Sequence, residues 1–140
     1  MITGALIFWP SVAPQATAGG FMAKVLLVGY IPELWQEPER LLRSARHEVT
    51  MALSFDAAST AIQESSIDVA VFGFSIPEAE RNQLAGDLIQ AWPAAKIIMV
   101  YFASVNNTEL ADALMPTTAS AEEILRAVNH MVAQGRDRAG

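Results

Sequence analysis

Along the chain, short and almost wholly apolar runs take turns with longer stretches that repeat with a helical period. The runs Lys24-Val-Leu-Leu-Val28, Glu48-Val-Thr-Met-Ala52, Asp68 to Phe74 and Lys96 to Tyr101 are of strand length. Runs this apolar read as strands buried on both faces, as in a parallel sheet. Between the first two, Pro38 to Ala45 predicts a helix with Pro38 in its first turn, where the missing N–H costs least. Pro32 to Glu37 reads as a turn or a separate short helical segment. Ser54 or Asp56 can cap an Ala-rich helix through Ala61-Ile62. Pro77 opens a helix to about Trp92, with Leu84, Leu88 and Trp92 on one face, and Pro93 ends it. From Ala103 to Pro116 the pattern is weak: Asn106-Asn107 reads as a turn, and Thr108 to Leu114 as a helix of no more than about two turns. Ser120-Ala-Glu-Glu123 matches a capping box, and the apolar stripe Ile124, Leu125, Val128, Met131, Val132 follows it. Gly135 is the expected stop, with Arg136 to Gly140 as a frayed tail.

Strands alternating with helices predict an α/β fold, an open doubly wound sheet of parallel strands with right-handed crossovers. The length of 140 residues suits one domain, placed at residues 22–134, and a hydrophobic share of 52% is enough to fill its core. A formal charge of −6, with the Lys and Arg residues scattered singly, argues against a nucleic-acid surface. The absence of cysteine excludes disulfides, thiol catalysis and Cys-ligated metals, and agrees with a cytoplasmic protein. No apolar run reaches the roughly 18–20 residues that span a bilayer, so no membrane partner is expected. Residues 1–21 carry no Asp, Glu, Lys or Arg. Ala16-Thr17-Ala18 could serve as a signal-peptide cleavage site, but the basic n-region is missing and Pro10 and Pro14 interrupt the apolar part. The preferred reading is a leader, flexible or loosely packed outside the fold, or a true start at Met22.

Open α/β sheets place their chemistry at the C-terminal ends of the strands. There the central run offers Gly73, Phe74 and Ser75 and no carboxylate. Aromatic residues stand at the same edge: Tyr30, Phe74, Tyr101 and Phe102 after three of the strands, with Trp35 nearby. The preferred reading is a plug that fills a former pocket. The others are a crevice for a planar ligand and a patch that contacts a partner protein. His47, among arginines at a helix end, and His130, beside the apolar stripe of the last helix, read as solvated or capping residues. Glu33, Glu37 and Glu39 read as a solvated charged face. No phosphate-binding glycine motif is present, and no nucleophile–base pair can be assembled, so no enzyme is expected.

Three local patterns resemble the response regulator receiver domain of two-component signalling, across roughly residues 23–134. Lys24-Val-Leu-Leu-Val-Gly-Tyr-Ile-Pro-Glu-Leu34 is similar to its opening strand and the turn after it. Asp68-Val-Ala-Val-Phe-Gly-Phe-Ser-Ile-Pro77 is similar to its third strand and downstream proline. Thr117-Thr-Ala-Ser-Ala-Glu-Glu-Ile-Leu125 is similar to the entry into its final helix. The resemblance implies a flavodoxin-like sheet of five strands in the order 2-1-3-4-5, here with a reduced fourth helix. That reduction puts the family's usual dimer surface in doubt.

The resemblance also implies which positions should carry chemistry. The acidic pair that holds magnesium falls on Gly29 and Tyr30, and the phospho-accepting aspartate on Gly73. The Ser or Thr after strand four falls on Tyr101, and the Lys after strand five on Thr117. Phosphoryl transfer needs a nucleophilic oxygen, a cation and fixed positive charge; Gly73 has no nucleophile, Gly29 and Tyr30 offer no carboxylate for Mg²⁺, and Thr117 carries no charge. The expectation is a degenerate, phosphorylation-independent receiver with no catalytic residue, metal or cofactor, which binds an unidentified signalling protein and could form a homodimer. The alternative is a small-molecule sensor that uses the edge formed by Tyr30, Trp35, Phe74, Tyr101 and Phe102.

Overall fold

A computed structural model of the chain describes residues 23–101 and 111–139, with side chains described as far as Gln134. The leader, residues 1–21, lies outside the described residues. Five strands, β1 (Lys24–Val28), β2 (Glu48–Ala52), β3 (Val69–Phe72), β4 (Lys96–Tyr101) and β5 (Ala113–Pro116), form one parallel sheet. Their order is β2-β1-β3-β4-β5. The helices are α1 (Gln36–Ser44), α2 (Phe55–Glu64), α3 (Glu78–Ala91) and α4 (Ala121–Ala139). Strand side chains alternate between faces, so each inner strand feeds two cores. Leu26, Val28, Ala70, Phe72, Ile97 and Met99 pack against α2 and α3. Val25, Leu27, Val69, Val71, Ile98 and Val100 pack against α1 and α4. This is the doubly wound, flavodoxin-like architecture expected from the sequence.

The local signals act where they were read. A 3₁₀ turn, Pro32–Trp35, precedes α1, and Pro38 sits in the first turn of that helix. Ser54 caps α2, its Oγ accepting from Ala57 N at 3.1 Å. The capping box of α4 closes both ways: Ser120 N donates to Glu123 Oε1 at 2.7 Å and Glu123 N to Ser120 Oγ at 3.1 Å. Trp92 ends α3, and its indole N–H donates to Ile62 O at 2.9 Å, tying α3 to α2.

Other expectations need correction. Ala113 and Leu114 belong to β5, not to a helix; pairing with β4 outweighs the local pattern of so short a segment. Ala111 and Asp112 are not helical either, whereas residues 108–110, the turn at Asn106-Asn107 and the reduced fourth helix fall on residues outside the described ones. Gly135 does not stop α4, which continues to Ala139; a glycine ends a helix by adopting a left-handed conformation, and no described glycine has positive φ.

The left-handed cap is found at Arg46 instead, with φ of 72° after α1. Arg46 N donates to Arg43 O at 3.0 Å and His47 N to Leu42 O at 3.1 Å, the paired bonds of a Schellman motif. That turn directs His47 inward, so it is neither solvated nor a cap. At 6% exposure its Nδ1 faces Ala23 N at 3.4 Å and its Nε2 lies 2.7 Å from Asn129 Oδ1. With Ala23 N as donor, Nδ1 accepts and Nε2 carries the proton to Asn129. His47 thus fastens α4 to the entrance of β1. His130, in contrast, is exposed and lies 3.0 Å from Gln134 Nε2.

Candidate functional site

The C-terminal edge is built on the ends of β1 and β3, which lie side by side with Val28 opposite Phe72. Gly29 and Gly73 continue these strands. Gly29 N donates to Ala52 O at 3.1 Å, and Gly73 N to Val28 O at 2.8 Å. Neither glycine has positive φ, so backbone conformation does not require glycine here. Space does. The 3₁₀ turn carries Trp35 back over the edge, where it is only 5% exposed. A Cβ on Gly29 would come within 2.7 Å of Trp35 Cε2 and 2.9 Å of Cδ1, with Nε1 closer still. A Cβ on Gly73 would lie 2.8 Å from Trp35 Cζ2. One indole therefore covers two of the three positions at which the receiver resemblance puts carboxylates.

Tyr30 turns to the opposite side. Its ring packs against the α2/α3 core, its N–H donates to Ser75 Oγ at 2.9 Å, and its hydroxyl donates to Glu80 Oε1 at 2.7 Å. Burial first, then the hydrogen bond and the charge of Glu80, with a smaller contribution from Asp56, hold the phenol above its ordinary range. Phe74 is half-buried and packs with Trp35 in the α1/α4 core. Tyr101 is half-buried at the end of β4, opposite Pro116 in the β4–β5 register, so Thr117, also half-buried, follows beside it. Phe102 lies outside the described residues.

The sequence-predicted edge residues therefore do not form one aromatic surface. Trp35 and Phe74 belong to one core and Tyr30 to the other. Glu80 was not singled out in the sequence, and neither were the bond from Tyr30 to Ser75 and the burial of Arg81 on α3. A signal for the plug did exist: side chains are missing at two edge positions, and a tryptophan stands one short turn after the first of them.

The magnesium ion implied by the resemblance does not fit the residues at this place. Mg²⁺ takes oxygen ligands in octahedral geometry, whereas Gly29 and Gly73 offer no side-chain oxygen and the indole of Trp35 fills the volume between them. Glu80 is engaged by Tyr30, and Glu33 is exposed on the 3₁₀ turn. No residue at positions 29, 73 or 35 supplies a nucleophilic oxygen for phosphoryl transfer.

No protein-family model matches the chain, and no curated protein does. Solved structures do. A CheY-like response regulator receiver domain protein from Methanospirillum hungatei JF-1 superposes with a TM-score of 0.76 at 19% identity, covering 84% of this chain and 99% of its own. The signal receiver domain of a LuxO repressor protein from Vibrio parahaemolyticus gives 0.73 at 11% identity, covering 85% and 96%. A response regulator from Thermotoga maritima in complex with Mg²⁺ and BeF gives 0.67 at 18% identity, covering 79% and 99%. The chain has the fold of a response regulator receiver domain.

Proposed function

We propose that this chain is a degenerate receiver-like signalling domain that works by binding another protein, without phosphorylation. The observation that carries the reading is the indole of Trp35 over Gly29 and Gly73. Loss of one acid could be a variation of a working site. Here Gly29, Tyr30 and Gly73 stand at the three positions, and the room that side chains at 29 and 73 would need is taken by the buried indole ring. Filling the site in this way stabilises the fold by desolvating ring surface and uses none of it for chemistry. The same packing speaks against a crevice for a planar ligand, because the ring that would line it occupies it. No catalytic role is assigned, and the cytoplasm is the compartment that suits a cysteine-free receiver-like chain.

The test is incubation of the full chain with acetyl phosphate and Mg²⁺, followed by intact-mass measurement. The expected result is an unchanged mass. A stable phosphoryl adduct on this chain would overturn the reading.

A further inference from the structure

The sheet edge beside the plug presents apolar side chains to solvent. Among the described residues the large exposed hydrophobics are Ile31, Leu34, Leu53 and Leu114, and the first three sit at this edge with exposures of 40%, 49% and 42%. Two backbone bonds hold them in place: Gly29 N to Ala52 O sets the β2 end that carries Leu53 beside β1, and Leu34 N to Ile31 O closes the turn, both at 3.1 Å. Pro32 and the buried Trp35 fix the turn further. A surface so held loses little conformational freedom when something docks on it.

The charges at this edge point to what docks. On the neighbouring helix, Glu37 is matched by Arg40 and Glu39 by Arg43. Glu33 on the turn and Asp56 in the first turn of α2 are both exposed and form no ion pair among the described residues. Two unmatched carboxylates beside three apolar side chains favour a cationic, apolar counterpart. A second copy of this chain, with its charge of −6, would bring acid against acid. The uncharged segment of residues 1–21 would leave both carboxylates unmatched.

Building on the protein-binding function proposed above, we infer that Ile31, Leu34 and Leu53, flanked by Glu33 and Asp56, form the docking surface for a protein segment that carries apolar side chains next to Lys or Arg. The test uses two labelled model helices with one Leu stripe, flanked by Lys in the first and by Glu in the second. Each is titrated against the full chain by fluorescence anisotropy. The Lys peptide should bind, more weakly as salt rises, and the Glu peptide should not. Affinity for the Lys peptide should fall about tenfold or more in Ile31→Ser/Leu34→Ser and likewise in Glu33→Lys/Asp56→Lys, but stay unchanged in Leu114→Ser on β5. Equal binding by all these variants, or no binding by the native chain, would overturn the surface. Tighter binding after deletion of residues 1–21 would identify that segment as the occupant, and a dimer dissociated by Leu34→Ser would identify a second copy; either would overturn the assignment. The acetyl phosphate experiment stays independent: an adduct removes the functional reading, whereas peptide failure without an adduct removes only this surface.

Discussion

The indole of Trp35 takes the place that a side chain on Gly29 would need: a Cβ there would come within 3 Å of three indole atoms, Nε1 nearest. The two residues are complementary in size, and neither choice makes sense without the other. A carboxylate at position 29 would be driven into a buried ring, and a small residue at position 35 would leave a void beside two bare glycines.

Removal of the ring should therefore be costly. Trp35→Ala is expected to destabilise the domain by about 3–5 kcal/mol, since it deletes a buried aromatic and leaves a cavity between two positions that cannot fill it. Urea denaturation followed by far-UV circular dichroism measures this. A loss under about 1 kcal/mol would mean that the ring is not packed as described.

The glycines should differ in a predictable order. A methyl group on Gly29 meets three ring atoms, and one on Gly73 meets only the edge of the ring at 2.8 Å and the Val28 carbonyl at 3.3 Å. Gly29→Ala should cost about 3 kcal/mol and Gly73→Ala about 1–2 kcal/mol. In Gly29→Ala/Trp35→Ala the penalties should fall short of their sum by at least about 1 kcal/mol, because the added methyl enters the vacated space. Additive losses would show that the two residues do not compete.

Tyr30 gives a pH dependence whose sign follows from its environment. Its phenol is raised above the ordinary value of 10.0 by burial and by Glu80. The unfolded chain therefore loses this proton first as pH rises, and the folded state loses stability from pH about 10 upward. Below that pH the contribution is fully present. Tyr30→Phe should cost about 1 kcal/mol at neutral pH, by loss of the bond to Glu80, and should remove this part of the alkaline decline. Melting temperatures across the alkaline range, compared between the two proteins, decide it.

Arg46 occupies the left-handed cap of α1 with φ of 72°. A side chain in that conformation costs about 1 kcal/mol that glycine avoids. Arg46→Gly should raise stability by about 0.5–1 kcal/mol in the same denaturation experiment. Destabilisation would show that the Arg46 side chain contributes more than the strain it imposes.

The sequence by itself determined the layers of this protein. Apolar runs of strand length, Pro38 and Pro77 at helix entrances and the Ser120–Glu123 box are local signals, and they act through the backbone within a few residues. They fixed all the elements except β5, which exists because β4 offers it a ladder: Asp112 N donates to Ile97 O at 2.7 Å and Asp112 Oδ2 accepts from Ile97 N at 2.8 Å. The composition of the C-terminal edge also told that no acid stands at positions 29, 30 and 73. Only the tertiary structure decided what fills the space there. Trp35, Gly29 and Gly73 meet because β1 and β3 are neighbours, Tyr30 finds Ser75 and Glu80 on another element, and His47 finds Asn129 across the sequence. Gly73, Ser75, Glu80 and Asn129 reach Trp35, Tyr30 and His47 from segments far away in the chain, and shape and distance between such segments, not a pattern of neighbouring residues, bring them together.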